Sequence, residues 1–398
     1  MTTTPTSALP QLPFPRPDIL DVGPLYRSLA GTAPINPVRT AAGDVAWLVT
    51  GYAEARALFA DPRLGRSHPD PENAARISGS ALLGGPMGIA ATEAADHTAM
   101  RKVLTPAFSA RRMSRLRAHV EDLVDGLLDE LAAHGSPADL HEVLSFPLPV
   151  LVICELLGVP FADRHRFSAW SAGACNLNDR AASTTALGQL FGYMRELVVR
   201  KRAEPCEDVI SDLVATVDGP DADGRVAGLG AMLLFAGHET TVTRIDVGTL
   251  LLLAHPGQAD ALRNDPGRVA GAVEEILRLG APGGGGLPRY AQADIDVAGV
   301  HIRSGDAVLL AVSVANRDPE VFADADRFDL TRTANPHLAF GHGPRFCIGA
   351  GLARIELQAV FAALPARFPT LALAVPVEQL QVRSDVLTGG LTALPVTW

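Results

Sequence analysis

A single cysteine stands in the stretch FGHGPRFCIG, residues 340–349, among three glycines and beside a histidine and an arginine. The residues that follow, IGAGLARIELQAVFAAL, place Leu352, Ile355, Ala359 and Val360 at the spacing of one helix face. Cys347 therefore precedes a helix N-terminus, where the dipole and the free amides favour a thiolate. Gly341 and Gly343 let the backbone turn its amides towards the sulfur, and Gly349 permits close approach of another surface. A thiolate prepared in this way is a nucleophile or a metal ligand. The nucleophile reading takes His342 as base but finds no orienting third group and no oxyanion site. Zinc asks for further cysteines or histidines at ligand spacing, which are missing here. Haem iron needs only one thiolate from this side, and that requirement fits best.

A second cluster is AGHETT, residues 236–241, inside a stretch that is otherwise apolar from about Arg225 to Ala254. Such a stretch reads as a long buried helix of roughly 45 Å at 1.5 Å per residue. Glycine inside a helix costs about 1 kcal/mol relative to alanine, and buried polar groups need partners. With such apolar flanks, Gly237, His238, Glu239, Thr240 and Thr241 read as a functional interruption rather than a surface excursion.

The elements that must position these clusters are mostly helical. TGYAEARALFADP reads as a short helix closed by Asp61-Pro62. DHTAMRKVLTPAF and the segments near 111–133, 139–158 and 185–203 carry apolar residues three and four apart. In DPGRVAGAVEEILRLGAP, Asp265 caps, Pro266 takes the first position, and Gly280 with Pro282 stops the helix. Strand signals are confined to DVAWLVT and to IDVAGVHIRSGDAVLLAV from residue 295. Strands and helices do not alternate regularly, so a doubly wound sheet is not expected. The expected class is mainly α with a minor β region, in one domain over residues 1–398, with an extended proline-rich arm at 1–20.

Of 398 residues, 47% are hydrophobic and 20% charged, enough apolar surface for a large core. The net charge of −10 argues against nucleic acid as the main partner. The apolar runs AMLLFAG and VGTLLLLA are separated by Arg244 and Asp246, so neither is expected to span a bilayer, and no secretion signal is read. The expectation is a cytoplasmic monomer that binds neither membrane nor nucleic acid. Cys154 reads as a small core residue, while Cys175 and Cys206 suggest no chemistry. Between Arg101 and Arg117 lie Arg101, Lys102, Arg111, Arg112, Arg115 and Arg117 without one acid. A solvated helix face explains them, as does docking of an acidic partner.

FGHGPRFCIG resembles the haem-binding loop of the cytochrome P450 family, F-G-x-G-x-[HR]-x-C-x-G, and AGHETT and EILR accompany it in the family's order. The resemblance runs from WLVTGYAEARALFADPR to the terminal GGLTALPVTW. It implies the P450 fold, with haem b between the long central helix and the helix after the cysteine loop. It also implies that Cys347 is the axial thiolate and that Arg345, Arg289 and the pair His97 and Arg101 hold the haem propionates. Glu275 and Arg278 match the family's E-x-x-R pair, a structural network expected to include Arg327 of DRFDL. Glu239 and Thr240 match its acid–alcohol pair, which handles protons for dioxygen, with Ala236 and Gly237 leaving room above the haem.

The activity so implied is that of a haem-thiolate monooxygenase fed with electrons from NAD(P)H by a separate ferredoxin reductase and ferredoxin. The stretch containing Arg111, Arg112 and Arg115 then becomes the expected docking site. Leu82, Met87, Leu233, Leu234, Gly284, Gly285, Leu287 and Leu387 are, with Ala236 and Gly237, the expected substrate-pocket residues. VEEILRLGAPGGGGLPRYA and RIDVGTLLLL are similar to actinomycete members that tailor polyketide and terpenoid antibiotics, which implies a bulky apolar secondary metabolite as substrate. The same chemistry could serve oxidative rearrangement, coupling or desaturation. A haem-thiolate gas sensor would share Cys347 without needing Glu239 and Thr240, and a cysteine hydrolase would need no haem.

Overall fold

The computed structural model describes residues 9–174, 176–280, 285–383 and 389–398. Helices form most of it, around one large apolar core, with smaller clusters on the two faces of a mixed sheet. The sheet holds β1 (Ile35–Arg39), β2 (Val45–Val49), β3 (Leu64–Gly65), β4 (Leu287–Ala291) and β5 (Ala307–Leu310), ordered β1-β2-β5-β4-β3. Leu287 pairs with Leu310 and Arg289 with Val308 in an antiparallel register. Leu287 and Arg289 are two residues apart and so leave the sheet on the same face. The described part of the N-terminal arm is anchored to the sheet. Leu12 donates its amide to the Arg39 carbonyl at 2.9 Å, and Leu12 and Phe14 are buried.

The central helix runs over Ala222–Ala254 without a break, three residues longer at its start than the sequence suggested. Its distance from the helix after the cysteine loop, Ala350–Arg367, is set by glycine. A Cβ at Gly248 would lie 2.5 Å from Phe361 and 2.8 Å from Ile276, two side chains with no exposure. Burying each of them stabilises the packing by about 1.5–3 kcal/mol, and any larger residue at 248 would push the helices apart.

The segment 139–158 is not the single helix its periodicity suggested. Ala138–Asp139 is a strand against Pro395–Thr397, His141–Ser145 forms a π-turn, and the α-helix begins at Pro147. Pro147 has no N–H to continue a helix from the preceding turn. The Phe146 amide reaches five residues back instead, to the His141 carbonyl at 2.9 Å. The segment near 185–203 starts earlier, at Arg180, because the Asp179 carboxylate accepts the Ala182 amide at 2.9 Å as an N-cap. The helix Val269–Leu279 is preceded by a 3₁₀ turn in which Asp265 accepts the Gly267 amide at 3.1 Å, so Asp265 caps as expected.

Candidate active site

Two glycines shape the cysteine loop. Gly341 and Gly343 have φ of 72° and 71°, in the left-handed region, and a Cβ at Gly343 would lie 2.9 Å from the Ala60 Cα. The Cys347 amide donates to the Phe340 carbonyl at 2.9 Å, which closes the loop. Gly349 is not a point of tight approach, since the nearest atom to a Cβ there is the Cys347 sulfur at 3.9 Å. Cys347 is exposed by area, yet protein surrounds its sulfur, because that exposed area faces an internal cavity. Burial pushes the thiol up, and the amides of Gly349 and Ala350 offset only part of that. The amides at the helix start do favour the thiolate, as expected, but desolvation outweighs them. His342 makes no hydrogen bond to this sulfur among the described residues, which leaves the nucleophile reading without its base. No cluster of three metal-ligating side chains exists among the described residues either.

The cavity, about 440 Å³, lies between the central helix and the helix after the loop. Leu233, Ala236, Thr240 and Leu287 face it from one side, Phe340 and Cys347 from the other. Ala236, Thr240 and Arg244 stand one turn apart and form a single stripe on its wall. The Thr240 hydroxyl donates to the Ala236 carbonyl at 3.0 Å. Gly237 also touches the cavity, but its missing side chain makes room for Ile153, 3.2 Å from a Cβ there.

Several expected site residues lie elsewhere. Glu239 is off the cavity wall: it is buried, and its carboxylate lies 3.6 Å from the Arg383 guanidinium. Consecutive helix residues point about 100° apart, and here Thr240 and Thr241 turn to the cavity while Glu239 turns away from it. Leu234 faces a small void beside Val150, Cys154 and Phe167. Leu82 and Met87 do not line the cavity, and Gly285 looks into open space. Gly284 and Leu387 lie outside the described residues. His238 is a core residue, stacked edge-on to Phe146 at 4.9 Å, and burial lowers its pKa to about 4, keeping it neutral.

His97, Arg101, Arg289 and Arg345 lie near one another beside the cysteine loop. Arg101 donates to the Phe346 carbonyl at 3.0 Å, and Arg345 pairs with Glu93 at 2.5 Å. Sequence reasoning missed two members. Arg66 is half-buried with its guanidinium enclosed, and it uses one nitrogen on the Pro288 carbonyl at 3.0 Å, while its other terminal nitrogen has no partner. Glu93 accepts the amides of Arg66 and Ser67 at 2.7 and 2.9 Å. Burial, then the charges of Arg66 and Arg345, lower the Arg289 pKa to about 10. Burial and the same kind of repulsion, from Arg345 and Arg101, lower that of His97, so its imidazole is neutral. Four converging guanidiniums, those of Arg66, Arg101, Arg289 and Arg345, stand against one carboxylate here, and one buried nitrogen of Arg66 has no partner. The surplus fits a group carrying two carboxylates. Haem has two, and beside them its flat apolar face would lie against an apolar cavity with one thiolate donor.

The cytochrome P450 profile matches residues 184–374. Pentalenolactone synthase of Streptomyces exfoliatus is 49% identical, over 98% of this chain and 99% of its own. The chain belongs to the cytochrome P450 family. It is also 40% identical to the cytochrome P450 monooxygenase PikC of Streptomyces venezuelae, over 96% of this chain and 95% of that one. The substrate-free structure of PimD, a pimaricin epoxidase, superposes with a TM-score of 0.88 at 43% identity, covering 98% of this chain and 99% of that one. This P450 is a monooxygenase, and its family implies haem as cofactor. No helix among the described residues is long and apolar enough to cross a membrane.

The P450's Glu275–Arg278 pair is wholly buried, with Nη2 2.6 Å and Nε 2.8 Å from the carboxylate oxygens. The third arginine is Arg332, whose Nε lies 3.3 Å from Glu275, and not Arg327. Arg327 contributes its backbone carbonyl, which accepts from Arg278 at 3.1 Å, and its side chain is exposed. The basic stretch is also less free than its sequence suggested. Arg112 pairs with Asp212 at 2.8 Å and Arg115 with Glu207 at 2.5 Å, both from the segment around residue 210. Lys102 and Arg111 are exposed and form no ion pair among the described residues.

Proposed function

We propose that this P450 oxidises a bulky, largely apolar secondary metabolite of the polyketide or terpenoid class. Dioxygen is the oxidant, and electrons pass from NAD(P)H through a ferredoxin reductase and a ferredoxin. The observation that carries the reading is that Cys347 and Thr240 open onto one apolar cavity from opposite walls. Relatives point to the same substrate classes: the pentalenolactone synthase and the pimaricin epoxidase are named for a natural product and a polyene macrolide. Haem b, when bound, supplies activation of dioxygen for insertion into a C–H bond. Cys347 would hold it from the loop side through its sulfur. Arg66, Arg289, Arg345 and Arg101 would take its carboxylates, with His97 beside them.

Thr240 presents its hydroxyl to the cavity and can hold a proton there for the reacting oxygen. It gives up its bond to the Ala236 carbonyl to do so. Glu239 lies behind it, on the Arg383 side, and feeds protons round the helix rather than across the cavity. Leu233 and Leu287 exclude water and contact the apolar substrate. Lys102 and Arg111 receive the acidic ferredoxin. The carbonyl complex of the reduced protein tests the core of this reading. A red-shifted Soret band is expected, and Cys347→Ser should lose it while keeping the fold by circular dichroism. Persistence of the band in Cys347→Ser refutes the ligand assignment, and folded protein that takes up no haem refutes the function.

A further inference from the structure

Arg244 is a charged side chain on an apolar wall. It lies one turn beyond Thr240 on the stripe that faces the cavity, and its guanidinium is enclosed by protein. Its hydrogen bond among the described residues goes to the Gly280 carbonyl, at the C-terminus of the Val269–Leu279 helix. A guanidinium carries five N–H donors, so several remain. No carboxylate pairs with it among the described residues. Burial alone lowers its pKa, to about 10, which leaves it charged at neutral pH.

The rest of the cavity offers Arg244 no compensation. Glu356 lines the same cavity, but burial raises its carboxyl well above the usual range and keeps it neutral. The Thr243 hydroxyl, also on this wall, is buried without a partner. A cation enclosed in apolar surroundings is costly unless an anion meets it, and a partnerless hydroxyl beside it adds to that cost. The Glu93 network beside the cysteine loop, by contrast, already gathers Arg66, Arg289 and Arg345 for the cofactor's carboxylates.

Building on the proposed P450 function, we propose that Arg244 is a specificity-determining residue that anchors a carboxylate of the substrate. The substrate class narrows accordingly, from bulky apolar metabolites to bulky apolar acids. The anchored end of the molecule lies towards Gly280, and the apolar remainder lies against Leu233 and Leu287. Binding exchanges the acid's hydration for two or more N–H donors in a site with little competing water, so acid and ester differ mainly at this residue.

The test uses the haem-loaded protein and a matched probe pair, abietic acid and methyl abietate. Affinity is read by the substrate-induced Soret shift and independently by equilibrium dialysis. In the wild type the acid should bind at least about tenfold tighter than the ester, the size of one charge-assisted hydrogen bond. Arg244→Met should bring the ratio to about one, and Arg244→Lys should retain part of it. The carbonyl spectrum, recorded for every variant, reports on the haem-thiolate reading separately. Equal affinity for acid and ester in the wild type overturns the proposal, as does a ratio that survives in Arg244→Met. Failure of the acid to bind a protein with intact thiolate ligation overturns it too. Faster haem transfer to apomyoglobin in Arg244→Met with an unchanged acid-to-ester ratio assigns the arginine to a propionate instead. A lowered thermal midpoint with an unchanged ratio assigns it to holding Gly280.

Discussion

Arg278 donates five hydrogen bonds: two to Glu275, and one each to the carbonyls of Asn316, Ala325 and Arg327. Neither it nor Glu275 has any exposed side-chain surface. Arg278→Met leaves three carbonyls short of a donor and a carboxylate short of its main cation. Breaking a buried pair of this kind costs about 3–5 kcal/mol, a large part of a typical total of about 5–15 kcal/mol. Arg332 reaches Glu275 more weakly, at 3.3 Å, and also donates to the Ala323 carbonyl at 2.8 Å, so Arg332→Met should cost about 1–3 kcal/mol. The Arg327 side chain takes no part, and Arg327→Ala should fall within about 0.5 kcal/mol of the wild type. Urea unfolding followed by far-ultraviolet circular dichroism gives all three values. The decisive comparison is Arg327→Ala against Arg332→Met. Should Arg327→Ala cost as much as Arg332→Met, the network described here is wrong and the assignment by resemblance was right.

Three other perturbations probe separate parts of the molecule. Thr240→Ala should keep the carbonyl spectrum and substrate binding but divert electrons into peroxide, lowering product per NAD(P)H at least about tenfold; unchanged coupling removes Thr240 from proton handling. His141 Nδ1 lies 2.7 Å from the buried Asp246. Burial alone would lower the His141 pKa, but the hydrogen bond and charge of Asp246 outweigh it and raise it; burial lifts the Asp246 carboxyl as well. A raised histidine pKa stabilises the fold fully below the ordinary value near 6.5, and the gain is lost as pH climbs through the folded value. His141→Gln should therefore cost about 1.5–3 kcal/mol near pH 6 and distinctly less near pH 9, and a cost that is flat or grows with pH refutes the pairing. Charge reversal at Lys102 and Arg111 should slow reduction by ferredoxin more than reversal at Arg112 and Arg115, with the gap closing in high salt; equal rates in all variants move docking elsewhere.

What the sequence made legible is what neighbours in the chain decide. The cysteine loop, the cap at Asp265, the E-x-x-R spacing and the apolar flanks of the central helix all depend on residues a few positions apart. The residues missed depend on partners far along the chain. Arg66 and Arg345 meet at Glu93, Arg332 arrives at Glu275 from 57 residues away, and Arg383 reaches Glu239 from the C-terminal segment. A lone arginine in a surface-like context carries no local mark of such an appointment. The pairing within the basic stretch at 101–117 was illegible for the same reason, since the acids that neutralise Arg112 and Arg115 lie near residue 210. The side of the helix that Glu239 takes was not legible, because a sequence pair says nothing of direction.

The polar stretch in the central helix explains how one helix can carry function without breaking. Many of the polar groups that the chain inserts there are answered locally or across the core, although the Thr243 and Thr249 hydroxyls are not. Thr240 and Thr241 donate to the carbonyls of Ala236 and Gly237, at 3.0 and 3.3 Å, and Glu239 meets Arg383. Asp246 meets His141, and Arg244 meets the Gly280 carbonyl. Because these partners lie on different sides, the helix presents chemically distinct faces to the cavity, to the C-terminal segment and to the π-turn at 141–145. Threonine back-bonding satisfies the hydroxyl protons within the helix and leaves each hydroxyl oxygen free to accept. The helix stays continuous over Ala222–Ala254 for that reason, and its distance to the cysteine side rests on Gly248 against Phe361 rather than on the polar turn. Polarity at Thr240 can therefore change with little effect on the spacing between Cys347 and the helix that faces it.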